Sequence, residues 1–490
     1  MTMTPTDQTD WTFDITTAAR VTLNALWCDQ GMAHMLLANE HEDEFIPDVI
    51  ALFDFGATLN FITKVLKPAI AAPAVKSVVE ALQSQRIGDR VPKLDLVMVS
   101  HQDDDHWRLL TYLMDELERI ELPYTVGKIV YAGSDWGQSA LNVLTRLATK
   151  TADADTDLVY FNTVTSSYKP ANGTLGQMKN YGDIVIRTLA ANTPSKFKAK
   201  SKERKNGSSA VMVIDYARER IILPGDATWE TMAAMNKILA AWTTSPVQPV
   251  TAMSAPHHGS LNTATQSNDA GNDSDLSELI AFTELTRPNS VIASAGIATS
   301  HKHPHAIVLK KLIKYAGSYA FPAHPVVYYD LIDAEFKRKD EVAANLYTTV
   351  LGLTAPVLVA NWHFTVTPTH QTVVNATGFY GACKALVSVP DTESNLIEML
   401  IEDDEDEATP IVIDSDNLAR RASHGTAGGV IARQRAARPA RGRPAFAIQG
   451  GDRLARMTTP ADDDTRFATV SRPRMVPPRR VRPVVMARAG

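Results

Sequence analysis

Val97 to Trp107 reads "VMVSHQDDDHW", with two histidines and three aspartates in the six residues from His101 to His106. The segment before it, "KLDLVMVS", is a nearly continuous apolar run, the pattern of a strand buried on both faces. After it, Trp107, Leu109, Leu110, Leu113 and Leu117 recur at helical spacing. The cluster therefore falls at a strand end, on a loop running into a helix N-terminus, a common location for sites in layered α/β proteins. Capping and the helix dipole favour aspartate there. That preference accounts for one or two of the acids and for neither histidine. On an extended loop His101, Asp103 and Asp105 point the same way, and His106 turns into the helix. Imidazole and carboxylate in this arrangement can hold two neighbouring divalent cations, which lower the pKa of a shared water and clamp a displacement.

More distant segments repeat the pattern. "ARVTLNALWCDQGMAHMLLANE" reads as two strands joined by a turn at Asp29, Gln30 and Gly31, and "DVIALFDFGA" as a third strand ending at Asp54 and Gly56. "ERIILPGDATWE" is an apolar strand that exposes Asp226 at its end. "TAMSAPHHGSLN" places His257 and His258 after a short apolar run, and "NSVIASAGIATSHKHPHAIVLKKL" gives a strand, then His301, His303 and His305, then a helix. Between His106 and His257 the chain has no histidine. Each cluster follows a strand-like run, as loops gathered at one edge of a sandwich would. His34, His41, His324, His363, His370 and His424 lack such a setting and read as surface or core residues.

Taken in chain order over residues 20–375, these motifs resemble the metallo-β-lactamase fold. Within it they are most similar to the stand-alone relatives of the hydrolase domain of the DNA-internalisation competence protein ComEC. "SHQDDDH" matches a His-x-Asp-x-Asp-His variant of the fold's metal motif. "LWCDQGMAHMLL" resembles the subgroup's Gly-Gln-Gly-Asp opening, and "ALFDFGA" its Asp-x-Gly strand end. "NGSSAVMVI" resembles a strand start where many relatives carry a third histidine. "PGDAT" and "APHHGS" match closely, "HKHPH" resembles a Gly-His-Pro-His segment, and "NLYTTVLGLTAPVLV" resembles the closing Tyr-x-Thr hairpin. The resemblance implies an α+β fold, a four-layer αββα sandwich.

It also implies two divalent metal ions, zinc or manganese, on His101, Asp103, Asp105, His106, Asp226 and a late histidine. Asp226 would bridge the ions. His303 is the favoured terminal ligand, with His301 also a candidate. His257 and His258 remain open between a second late ligand and a group facing the substrate. The expected catalytic residues are Asp105, Asp226 and His258. Asp103 replaces the usual second histidine and no third one is present, so oxygen ligands shift preference toward harder ions such as manganese or magnesium. The same departures argue against a β-lactam substrate. "SKFKAKSKERKN" adds Lys196, Lys198, Lys200, Lys202, Arg204 and Lys205 ahead of Asn206, Ser208 and Ser209. A basic loop over a two-metal cradle suits a phosphodiester, with Lys200, Lys202, Asn206 and Ser208 as substrate-binding residues. The leading expectation is a metal-dependent phosphodiesterase or nuclease acting through a metal-bridging hydroxide. The alternatives are a carboxylic ester, thioester or amide hydrolase on the same fold, and a non-catalytic binding protein.

Length and composition bound the rest. The chain has 490 residues, 44% hydrophobic and 21% charged, and two cysteines, Cys28 and Cys383, too few for a disulfide framework. No signal-peptide pattern and no run of eighteen apolar residues occurs, which gives the expectation of a cytoplasmic protein without a membrane span. The net charge of −6 is uneven: residues 411–490 hold sixteen Arg, no Lys and six Asp, giving +10, which leaves −16 on residues 1–410. The expected organisation is a flexible N-terminus at 1–19, the hydrolase domain at 20–375, a connecting segment at 376–410 with the acidic run "IEDDEDE", and a disordered Arg/Pro-rich tail at 411–490. Arginine makes bidentate phosphate contacts and stacks on bases, so one role for the tail is a nucleic-acid tether. Truncation after Thr409 is then expected to leave hydrolysis of a small phosphodiester unchanged while weakening nucleic-acid binding. The slope of log K against log salt should fall by about 0.9 for each phosphate that the truncated chain no longer neutralises. Equal affinity and slope for both chains would remove the tether.

Overall fold

The computed structural model describes residues 17–41, 46–58, 73–160, 180–181, 183–194, 202–217, 219–241, 250–266, 273–294, 296, 302–316, 324–342, 345–353, 358–367 and 371–374. The expectations for 376–410, for the tail, for His301 and for Lys196, Lys198 and Lys200 fall outside them.

The chain alternates strands with amphipathic helices. Strands β1 (Arg20–Ala25), β2 (Ala33–Asn39) and β3 (Val49–Phe55) are followed by α1 (Pro73–Gln85), β4 (Lys93–Val99), α2 (Arg108–Arg119), β5 (Thr125–Tyr131), α3 (Gln138–Ala148) and β6 (Leu158–Tyr160). Next come β7 (Asn180–Tyr181), β8 (Ile184–Ala190), α4 (Lys202–Gly207), β9 (Val211–Tyr216), β10 (Glu219–Leu223), α5 (Trp229–Ala241) and β11 (Val250–Ser254). The last elements are α6 (Ser277–Thr286), β12 (Pro288–Ala293), α7 (Ala306–Leu312), β13 (His324–Asp330), β14 (Glu335–Val342), β15 (Leu346–Thr348), β16 (Trp362–Val366) and β17 (Gln371–Val374).

These strands form two large sheets. One has the order β17-β16-β1-β2-β3-β4-β5-β6, the other β15-β12-β11-β10-β9-β8-β7. Each is an antiparallel meander that becomes parallel, from β3 to β6 in the first and from β10 to β15 in the second. Period-two patterning divides every central strand between two cores. Val21, Leu23, Leu36, Phe53 and Met98 of the first sheet meet Ile186, Met212, Ile214, Ile221 and Leu223 of the second in an inner core. On the far side of the first sheet, Leu52, Val97 and Ile129 pack against Leu82 of α1, Leu110 and Leu113 of α2 and Leu147 of α3. On the far side of the second, Val211, Val213 and Ile222 pack against Met235 of α5, Phe282 of α6 and Leu309 of α7. Helices, sheet, sheet and helices follow one another, which is the four-layer αββα architecture of the metallo-β-lactamase fold. Each fully buried Leu contributes about 2 kcal/mol of apolar burial, and the parallel strands place it on both of their faces.

The β13–β14 hairpin was not foreseen from the sequence. It forms a separate two-stranded sheet, and β14 is mostly exposed, so its charged residues show no apolar alternation. Val327 joins the core under the first sheet's helices, and Val326 joins the core under the second's. Among the described residues, no helix is long and apolar enough to cross a membrane.

Candidate metal centre

The histidines and aspartates of the site lie at the C-terminal ends of parallel strands or in the loops beyond them. Asp54 closes β3, His101 to His106 follow β4, Asp226 follows β10, and His257 and His258 follow β11. Parallel ends leave carbonyls unpaired and loops free to converge, the usual reason sites form there. The approach is close. A Cβ on Gly56 would collide with the backbone of Asp105 and His106, and Gly225, at φ +53°, packs against Ser209 and Ser100. Only glycine fits both requirements. The backbone amide of Asp226 donates to Ser209 Oγ at 3.0 Å, and that of His257 donates to the Gly225 carbonyl at 2.9 Å.

The Asp226 carboxylate is the hub. Its Oδ2 lies 3.5 Å from His101 Nε2 and 3.2 Å from His257 Nε2. Its Oδ1 lies 3.1 Å from His106 Nε2 and 3.7 Å from His258 Nε2. Asp103 Oδ2 stands 3.9 Å from His101 Nε2, and Asp105 Oδ2 stands 3.8 Å from His258 Nε2. Two sets of potential ligand atoms lie mutually within 4.8 Å: His101, His106 and Asp226, and Asp105, His106 and His258. Neither set includes His257 or His303. The far nitrogens are braced. His106 Nδ1 is 3.0 Å from Asp54 Oδ2, His101 Nδ1 is 3.1 Å from Ser100 Oγ, and His257 Nδ1 is 2.9 Å from Thr263 Oγ1. Such partners fix the tautomer that presents Nε2.

The electrostatics follow from burial and this crowding. Burial alone would raise the Asp226 carboxyl, but the imidazoles of His257, His106 and His101 outweigh it and hold the group well below the usual range. Burial would lower His106; Asp226 and Asp54 reverse that and hold it well above an ordinary histidine. Burial also pushes Asp105 up to about 6, against the pull of His106. His257 and His258 are both lowered by burial, which keeps their rings neutral. Asp54, His257 and His258 have φ of 48°, 44° and 53°. Left-handed backbone at non-glycine residues costs roughly 1–3 kcal/mol each and persists only where the surroundings enforce it.

The structure thus brings together His101, Asp103, Asp105, His106, Asp226, His257 and His258. His303 is buried, and its ring stacks on that of His258 with centroids 5.3 Å apart, 5.8 Å from that of His257. His305 accepts the Leu261 amide through Nδ1 at 3.2 Å, a scaffolding contact. Asn206 lies at the site, its Nδ2 3.3 Å from His257 Nδ1. The Ser208 hydroxyl donates to the Lys205 carbonyl at 2.5 Å and so closes α4. Lys202 opens the same helix. Sequence reading left Asp54, Ser100 and Thr263 without a role. For Asp54 the signal was present in the Asp-x-Gly strand end; single hydroxyls give none.

No protein-family model matches the chain, and no curated protein matches it. Among solved structures it is similar to a point mutant of the CmlA β-hydroxylase, at 14% identity and a TM-score of 0.27, over 56% of this chain and 45% of that one. It is also similar to the metallo-β-lactamase fold protein YhfI of Bacillus subtilis, at 10% identity and 0.27, over 48% and 70%. A third is a Parabacteroides distasonis protein described as a metal-dependent hydrolase, at 10% identity and 0.27, over 57% and 84%. The chain thus spans less than half of the hydroxylase's length.

The bracing of His106 by Asp54 is testable. In Asp54→Asn the amide oxygen still accepts the Ser100 amide, which Asp54 Oδ1 now accepts at 2.7 Å. The amide NH2 then faces His106 Nδ1 and drives the proton to Nε2, the nitrogen aimed at Asp226. A 10- to 100-fold loss of zinc affinity is expected in chelator competition, with the denaturation midpoint little changed. The protonation of His106 makes a second prediction. Its raised pKa leaves it protonated at pH 7, so an incoming cation must expel that proton. Affinity should rise with pH through neutrality, and calorimetry in buffers of different ionisation enthalpy should show proton release on binding.

Proposed function

We propose that the protein is a metal-dependent hydrolase of phosphodiesters. The observation that carries this reading is the convergence of four imidazole nitrogens on the two oxygens of one buried aspartate, within 3.7 Å. The donor set fits divalent cations. His101 Nε2 and His258 Nε2 are buried and have no hydrogen-bond partner among the described residues. An unsatisfied buried polar atom costs roughly 1–3 kcal/mol, so imidazole nitrogens left in that state beside a buried carboxylate suit a cation. Divalent ions held there supply a water-derived nucleophile at neutral pH and neutralise charge on the reacting phosphoryl oxygens.

The chain's own groups do the rest. Asp226 and Asp105 fix the direction of attack by accepting hydrogen bonds. His303, whose ring stacks on that of His258, would donate a proton to the leaving oxygen. The carboxylates among the donors favour manganese or magnesium alongside zinc. The choice of a phosphodiester is supported by the basic run from Lys196 to Lys205, which leads into α4, whose Asn206 touches His257. The likeness of the sequence motifs to the ComEC-type hydrolase domain points the same way.

The test is turnover of bis(p-nitrophenyl) phosphate, single- and double-stranded DNA, a cyclic nucleotide and a thioester, each with manganese, magnesium or zinc. Phosphodiester hydrolysis is expected, with manganese at least as effective as zinc and kcat roughly a thousandfold lower in Asp226→Asn. Replacing Lys196, Lys198, Lys200 and Lys202 with Ser should raise KM for DNA alone. Thioester turnover without phosphodiester turnover would transfer the assignment to the acyl hydrolases.

A further inference from the structure

We propose that a ledge beside the metal centre binds a sugar through its hydroxyl groups, which makes a ribonucleotide the favoured substrate. The inference rests on the hydrolase reading above and adds to it the class of group that flanks the scissile phosphate.

The ledge is built from loops of both sheets. Gly133 and Ser134 follow β5, and Asn192 and Thr193 follow β8. The Gly133 amide donates to Asn192 Oδ1 at 2.9 Å, and the Gly133 carbonyl accepts the Tyr160 hydroxyl at 2.6 Å. Such closeness needs glycine. At φ +97° a Cβ there would sit 2.5 Å from Gln102 Oε1 and 2.9 Å from His101 Cα. The Ser134 amide donates to Gln102 Oε1 at 3.0 Å, and Gln102 Nε2 donates to Asp103 Oδ1 at 3.3 Å. These bonds link Asp103, at the edge of the metal centre, to Tyr160. On the other side the Asn192 amide donates to the Ser208 carbonyl at 3.0 Å, which ties the ledge to the end of α4.

Two side chains of the ledge point to its ligand. The oxygens Ser134 Oγ and Thr193 Oγ1 are buried and have no hydrogen-bond partner among the described residues. Each belongs to the residue directly after one of the bonded pair, Gly133 and Asn192. Two buried hydroxyls in that state are costly unless a ligand completes them. A hydroxyl both donates and accepts, so another hydroxyl is its natural complement. Residues 133–136 and 191–194 include no Lys or Arg, and Asp135 is exposed. A phosphate gains nothing there, whereas a sugar's O–H groups can donate to hydroxyl and carboxylate oxygens alike. The rings of Trp136 and Tyr160 are only partly buried, with centroids 5.2 and 5.1 Å from that of Tyr131. Aromatic faces of this kind suit a base stacked without sequence preference.

Adenosine is the probe, because it carries the hydroxyls and a base without a phosphodiester and so reads binding apart from turnover. Its affinity for the full-length chain as purified is measured by calorimetry against 2′-deoxyadenosine and 2′,3′-dideoxyadenosine. Adenosine is expected to bind about three- to tenfold tighter than the dideoxynucleoside, the range of one or two hydrogen bonds. Ser134→Ala combined with Thr193→Val should remove that preference. Thr193→Ser alone, which keeps the hydroxyl, should retain it, and circular dichroism checks that each variant folds. A short oligoribonucleotide and its deoxy counterpart separate the sources of the sugar. A deoxy penalty on both pairs assigns the ledge to RNA, and a penalty on the nucleosides alone assigns it to small ribonucleotides. Equal affinity for adenosine and dideoxyadenosine, or a preference that survives in the Ser134→Ala/Thr193→Val chain, would overturn the sugar assignment. A ribose preference in a chain that hydrolyses no phosphodiester would instead overturn the hydrolase reading and leave the sugar site standing.

Discussion

One buried carboxylate organises this protein's site. Asp226 sits between four imidazoles with only its two oxygens to offer them. A carboxylate taken out of water is strongly disfavoured unless positive charge surrounds it. Here His106 supplies that charge, with the rings of His101 and His257 turned to the same carboxylate, and in return Asp226 and Asp54 hold His106 protonated. The groups depend on one another, and their ligands come from both sheets. His101 and His106 belong to the first, Asp226 and the His257–His258 pair to the second. The inner core that presses the sheets together is therefore also what assembles the site.

That assembly explains where backbone strain is found. Asp54, His257 and His258 take left-handed conformations within a few ångströms of the same carboxylate, and Gly56 and Gly225 remove side chains where the loops touch. Strain of this kind survives because packing over-determines the loops. The ring of His258 that it aims carries two buried nitrogens with no hydrogen bond among the described residues. An arrangement that is costly on both counts is understandable only if something binding there repays it, which ties the local energetics to the proposed chemistry.

Much of this was legible in the sequence. "KLDLVMVS" announced a strand buried on both faces, and β4 is one. The spacing of Leu109, Leu110, Leu113 and Leu117 gave α2, and chain order gave the sandwich. His101, Asp105, His106 and Asp226 stood out because strand ends and acid–imidazole clusters are local signals. The late histidines were not resolvable in this way. His303 looked like a terminal ligand on motif order, yet it is the ring of His258 that lies among the ligand atoms, with His303 stacked on it. That difference is set by two left-handed residues, and φ at a histidine leaves no mark in composition or periodicity. The β13–β14 hairpin escaped for a related reason: an exposed strand need not alternate.

Charge sets a further condition on how such a centre would work on a polyanion. Residues 1–410 carry −16, and the ligands themselves include three carboxylates, Asp103, Asp105 and Asp226. At physiological ionic strength the screening length is about 8 Å, so the distant acids on the surface matter less than the charges at the mouth of the site. Two divalent cations would turn the three ligand carboxylates into a net positive centre. The basic run ending at Lys205 adds to it from the sequence side adjoining Asn206. If the substrate is a phosphodiester, bound cations would turn repulsion at the mouth into attraction. Metal occupancy would thus govern substrate capture as well as bond cleavage.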